Sequence, residues 1–163
     1  MRVYIAGPDV FRPDLSDWSA HVRSRLAALG HQALIPTDSQ QTTAGAIYAA
    51  NVGMIRHADA LLANLNPFRG DEPDSGTCFE VGFACALGTP VIAYLDDARA
   101  LKDRLGGADA RGWQVEDFGL PLNLMLGCAC RIVVGGIDAA IDALETFDSF
   151  EAPGSGGAHD ETA

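Results

Sequence analysis

Five near-continuous apolar runs punctuate this chain: RVYIAG (2–7), HQALIP (31–36), ALLANLNP (60–67), VIAYL (91–95) and RIVVGG (131–136). A strand with one face in water alternates apolar and polar residues, and these runs do not, so each must be covered on both faces. The segments between them supply the cover. Asp14 stands as a helix N-cap before Leu15, Trp18, Val22, Leu26 and Leu29, which recur at helical spacing until Gly30 ends the pattern. The segment TTAGAIYAANVGMIRHAD (42–59) sets Ala44, Ile47, Tyr48, Asn51 and Ile55 along one helical face. Further short helices are expected over 75–87 and 137–147, with a turn around 98–105. Strands alternating with amphipathic helices predict an α/β fold: a three-layer, doubly wound, flavodoxin-like domain around a five-stranded parallel sheet.

At 163 residues the chain is expected to be one domain over 1–150, followed by a Gly-rich polar tail, EAPGSGGAHDETA (151–163), expected to be disordered. The formal net charge of −11 argues against duplex nucleic acid or an anionic membrane as partner, because both select clustered Lys and Arg. It leaves room for a small nucleotide held by backbone N–H groups. No signal peptide is expected, since Pro8 interrupts the opening run, and no stretch has the length of a membrane span. The cysteines at 78, 85, 128 and 130 lack zinc-site spacing and read as buried thiols in a reducing cytoplasm.

In doubly wound sheets the ligand crevice lies beyond the C-terminal strand ends, between the first and third strands. Here those ends are AGPDVF (6–11), with Gly7, Pro8, Asp9 and Phe11, and NLNPFRGDEPDSG (64–76). The second leads into DSGTCFEVGFACALG, where Glu80 is the lone charge of a small, apolar helix and would be expensive to bury without a purpose. The helix dipole is expected to favour its ionised form. Gly76, one turn earlier, leaves room for a substrate, and Asp74 precedes Glu80 on the loop. Two carboxylates, one nucleophilic and one moving a proton, are the equipment for cleaving a glycosidic bond with retention. A structural alternative pairs Thr77 with Glu80 as a capping box. Asp71, Glu72 and Asp74 would suit Mg²⁺, but no phosphate-gripping Lys or P-loop accompanies them, and the histidines show no ligand spacing; no metal or cofactor is expected. Around the crevice, Tyr4 can donate its O–H to a carboxylate or simply fill the core. Phe11 can stack on a planar ring or staple the first helix, and Asn51, polar on an apolar face, needs a partner.

YIAGPDVFRPD, IRHADALLANLNPF, DSGTCFEVGFACALGTPVIAY and PLNLML together resemble the nucleoside 2-deoxyribosyltransferases over most of residues 3–126. The resemblance implies Glu80 as the nucleophile that forms a covalent deoxyribosyl intermediate at C1′. It implies Asp74 as the group that contacts or protonates the departing base, and Tyr4 as the residue that orients the nucleophile. Phe11 lies near the aromatic that packs on the base, and Asn123 and Met125 fall where a neighbouring subunit completes the pocket. The implied partners are 2′-deoxynucleosides and free bases, in a homo-oligomer of at least two chains with shared active sites. Some members carry Asp where this chain has Asn51, which leaves proton transfer to Asp74.

The rival on the same scaffold is a hydrolase of 2′-deoxynucleoside 5′-monophosphates. Those relatives need a phosphate pocket after the first strand, where this chain has Pro8-Asp9, and an aspartate there would repel phosphate. GTCFE also resembles the GTxxE of cytokinin-activating phosphoribohydrolases, but their preceding PGG is absent. A non-catalytic nucleotide sensor is the third reading; the presence of both Asp74 and Glu80 speaks against it.

Overall fold

Each apolar run becomes a parallel strand, and the order of the strands places the crevice. The computed structural model describes residues 1–146 except 110. Strands β1 (Arg2–Ala6), β2 (Gln32–Leu34), β3 (Ala60–Asn64), β4 (Val91–Leu95) and β5 (Arg131–Val134) form one sheet in the order β2-β1-β3-β4-β5, every pair parallel. Side chains alternate between two cores. Val3, Ile5, Leu62, Ile92 and Tyr94 pack under α1 (Leu15–Ala28) and α6 (Ile137–Leu144), while Tyr4, Ala6, Leu61, Ala63 and Ala93 pack under α2 (Ala44–His57) and α3 (Ser75–Ala86). This is the expected three-layer, flavodoxin-like architecture, apolar on both faces of its central strands.

Local chemistry departs from expectation in a few places. Asp14 occupies the N-cap position of α1 but caps nothing with its carboxylate, which pairs with Arg12 at 2.8 Å instead. Gly30 adopts a left-handed φ of 75°, open to glycine at little steric cost, and ends α1 as anticipated. β5 is an edge strand, so its run is only half covered and Val134 is exposed. The stripe along α2 is buried only at Ile55; Ala44, Ile47 and Tyr48 stand exposed. Short helices α4 (Leu101–Leu105) and α5 (Leu124–Gly127) complete the described chain. Among the described residues no helix is long and apolar enough to cross a membrane. The expected domain end at 150 and the tail 151–163 lie outside the described residues.

The turn after β1 is held by a buried carboxylate. Asp9, in a 3-10 helix over Pro8–Phe11, is 7% exposed and accepts from Asn64 Nδ2 at 2.8 Å and from the Tyr94 hydroxyl at 3.1 Å. The Arg12 guanidinium lies 3.6 Å away. One carboxylate thus ties together the C-terminal ends of β1, β3 and β4, its desolvation offset by two hydrogen-bond donors and the neighbouring guanidinium. Gly7 fits beneath it because it has no side chain: a Cβ there would sit 2.8 Å from both Asn64 Cβ and Asp9 Oδ2. Gly7→Ala should therefore cost about 1–3 kcal/mol through overpacking, read as a Tm lower by about 3–10 °C in a thermal melt. An unchanged Tm would show that the turn relaxes freely.

Candidate active site

Because β2 lies on one side of β1 and β3 on the other, the loops leaving β1 and β3 diverge, and a cleft of about 530 Å³ opens between them. The turn after β1 contributes Gly7, Val10 and Phe11, and α3 contributes Gly76, Thr77 and Glu80 with its N-cap Asp74. Asn51 and Ile47 of α2 close one side, and Pro36, Thr37, Ser39 and Gln41 border it from the loop after β2. The only charged side chains among these are Asp74 and Glu80.

Glu80 projects from the second turn of α3 toward β1, where the Tyr4 hydroxyl donates to its Oε1 at 2.6 Å. The bond joins the central strand to the helix through one short, charge-assisted contact. Oε2 has no partner among the described residues. Burial pushes the Glu80 carboxyl up to about 7; the bond from Tyr4 opposes the shift and the charge of Asp74 adds to it. The expected helix-dipole effect is thus outweighed, because removing a carboxylate from water costs more than a helix terminus returns. Tyr4 is held above its ordinary range by burial and then by the charge of Glu80, so it stays a donor.

Asp74 caps α3. Its Oδ2 accepts from the Thr77 N–H at 3.0 Å and from the Thr77 hydroxyl at 3.1 Å. The capping-box alternative is not what forms: Thr77 sits inside the helix as a donor to Asp74, and Glu80 crosses to β1. Gly76 packs against the same oxygen, since a Cβ there would lie 3.0 Å from Asp74 Oδ2. Asn51 lines the cleft, and its buried Oδ1 has no hydrogen-bond partner among the described residues. Phe11 is 60% exposed and stacks on Phe68 at 5.7 Å, with the Arg69 guanidinium 5.1 Å from the Phe11 ring.

The structure therefore brings Tyr4, Gly7, Phe11, Asn51, Asp74, Gly76 and Glu80 together and turns Pro8 and Asp9 away from them, while Asn123 and Met125, expected to complete a neighbour's pocket, lie apart from their own chain's cleft. Pro8 begins the 3-10 helix and does not line the cleft. Asp9 points through the turn to the α1/α6 side, where it is consumed by Asn64 and Tyr94. Asn123 caps α5, accepting from Met125 N and donating to Glu116. Met125 is 72% exposed, away from its own cleft. Thr77 and the loop after β2 were missed as site elements. Thr77 looked like a cap, and the loop borders the crevice only because β2 is the neighbour of β1. Among the described residues no group of three or more His, Cys, Asp or Glu is placed to hold a metal ion.

The model of the nucleoside 2-deoxyribosyltransferase family matches residues 3–125, most of the chain and all of this cleft. The chain belongs to that family. A 2-deoxyribosyltransferase from Leishmania mexicana is 40% identical and superposes with a TM-score of 0.83, covering 91% of this chain and 99% of that one. Two more distant structures share the fold of this family member. They are the 2-deoxyribosyltransferase of Bacillus psychrosaccharolyticus (18% identity, TM-score 0.57, 91% of this chain and 93% of that one) and the CMP N-glycosidase BcmB of Clostridium botulinum (15% identity, TM-score 0.55, 90% and 100%). An uncharacterised protein of Schizosaccharomyces pombe is 26% identical over 121 residues, 68% of this chain, which spans 57% of that relative.

The raised carboxyl has a sign that can be measured. The unfolded chain releases the Glu80 proton near the ordinary 4.5, the folded chain near 7, so stability falls as pH climbs between those values. Glu80→Gln removes that loss. Its stabilisation relative to the parent in urea titrations should be larger at pH 8 than at pH 5, by about 2–3 kcal/mol. An equal effect at both pH values would mean that Glu80 is not desolvated.

Proposed function

We propose that this chain exchanges the base of 2′-deoxynucleosides through a covalent deoxyribosyl-Glu80 intermediate. The observation that carries the reading is the pair of carboxylates on one cleft, with the Tyr4 hydroxyl 2.6 Å from the nucleophile. A Glu80 oxygen bonds to C1′ as the C1′–N bond breaks; the electron pair leaves with the base, and Asp74 supplies the proton. A second base then attacks C1′, displaces Glu80 and returns a proton to Asp74. Two inversions give net retention and ping-pong kinetics. Positive charge develops on the sugar opposite Glu80 in a poorly solvated site, where the carboxylate acts most strongly. A 2-deoxy sugar lacks the electron-withdrawing hydroxyl that would oppose that charge. Phe11 supplies an exposed face for a base, Asn51 borders the ligand, and Gly7 and Gly76 keep the approach open.

Free nucleosides are favoured over monophosphates, on different grounds from those in the sequence. Asp9 is buried away from the cleft and repels nothing there. Instead, the lining residues carry two carboxylates and no Lys or Arg, so a phosphate finds no cation. The proposal includes a homo-oligomer in which Met125, exposed on its own chain, enters a neighbour's cleft. The exposed Ile47, Tyr48 and Phe79 beside the cleft support a covered face there. A single functional domain over 1–150 and a cytoplasmic setting, in keeping with the four free cysteines, complete the reading.

Incubation of the protein with thymidine and adenine, followed by chromatography, should yield thymine and 2′-deoxyadenosine, and Glu80→Ala should abolish both. Thymine released without adenine at the same rate, with no deoxyadenosine, would make the protein a hydrolase; ligand binding without cleavage would make it a sensor. Tyr4→Phe removes the bond that lowers the Glu80 carboxyl, so the acid limb of kcat/KM should move above pH 7. An unmoved limb would detach Tyr4 from the nucleophile. Shared sites are checked by complementation: Glu80→Ala and Met125→Asp chains, each inactive alone, should regain activity when dissociated and mixed.

A further inference from the structure

The two oxygens of Asp74 are treated differently by the fold. Oδ2 accepts twice, from the Thr77 backbone N–H at 3.0 Å and from the Thr77 hydroxyl at 3.1 Å. A carboxylate oxygen offers two lone-pair directions, so Oδ2 is full. Oδ1 accepts from no group among the described residues. Capping α3 needs only the N–H bond, which any residue at position 77 would make. The hydroxyl bond is additional, and it comes from a side chain that is 2% exposed and lines the cleft beside Glu80. Gly76 adds to the crowding, since a Cβ there would lie 3.0 Å from the same Oδ2.

We propose that Thr77 is a positioning residue for Asp74: its hydroxyl fills the second lone pair of Oδ2 and so reserves Oδ1 as the oxygen that carries the proton. This rests on the base-exchange reading. In the first half-reaction the Oδ1–H bond breaks as an N–H bond forms on the departing base, which takes the C1′–N electron pair while Glu80 bonds to C1′. In the second half the incoming base gives its N–H proton back to Oδ1 as it bonds to C1′ and Glu80 leaves. With Thr77→Val the proton can reside on Oδ2, buried against the helix start, and only a fraction of Asp74 is set to deliver it. Substrate binding, which does not use this hydroxyl, is left largely alone.

The test compares two substrates in single-turnover base release: 2′-deoxyadenosine, whose base must be protonated to leave, and N7-methyl-2′-deoxyguanosine, whose cationic base leaves neutral without a proton. Thr77→Val should slow the first about 10–50-fold more than the second, a share of the ~10²–10⁴-fold that a positioned proton donor supplies. KM should stay within about two-fold, and Thr77→Ser, which restores the hydroxyl, should recover most of the rate. Thr77→Ala, which also keeps the backbone bond, takes the place of Thr77→Val if that variant does not fold. Equal slowing of both substrates, slowing of neither, or a Thr77→Ser variant as slow as Thr77→Val would each overturn the proposal. Failure of the parent enzyme to cleave either substrate would instead overturn the base-exchange reading, and this proposal with it.

Discussion

The hydrogen bond from Tyr4 to Glu80 is the contact on which the site depends, because it lets a carboxylate stand where the fold would otherwise reject one. Tyr4 lies wholly inside the core, in the strand at the centre of the topological switch, and its hydroxyl meets the Glu80 carboxyl from within that core. Glu80 lies on a helix whose other residues are small or apolar. Burial disfavours the ionised carboxyl, and the donor at this position opposes that shift. With that donor, the group titrates near 7, so that the anion the proposed chemistry needs is available without being fully solvated. The phenol is suited to the task because the same burial and the same anion keep it protonated.

The two faces of the sheet divide the work. On the α1/α6 side a second buried carboxylate, Asp9, binds the ends of three strands. On the α2/α3 side Asp74 and Glu80 are left incompletely partnered and face the cleft. Both arrangements bury a carboxylate, and the contrast lies in satisfaction: Asp9 Oδ2 meets two donors and its Oδ1 lies beside Arg12, whereas among the described residues Glu80 Oε2 and Asn51 Oδ1 meet none. Rigidity on one face sets the turn that carries Gly7 and Phe11, which in turn shapes the other.

Much of this was legible in the residues themselves. A parallel sheet follows from runs that are apolar throughout, and VIAYL coincides with β4 at both ends because both faces of a central strand are buried. Glu80 was visible as a charge without a polar neighbourhood. The direction of Asp9 was not, because strand alternation stops at Ala6 and a 3-10 turn then re-aims each side chain. The local role of Asn123 was not legible either, because the cap depends on where the short helix α5 begins. The α2 stripe marked an apolar face correctly without revealing that its upper half, Ile47 and Tyr48, has no cover within one chain.

That uncovered face bears on the chemistry. A base-exchange site must admit two different planar bases in turn and still keep water from the intermediate between them. A deep, closed pocket would trap the first base, while an open cleft would admit solvent along with the second. The cleft here is lined in part by the exposed Phe11 and Ile47, and the exposed Tyr48 and Phe79 of helices α2 and α3 carry no cover among the described residues. In the homo-oligomer we propose, a wall contributed by another copy reconciles the two demands, since it can exclude water while leaving the two proposed catalytic carboxylates fixed to a single rigid sheet.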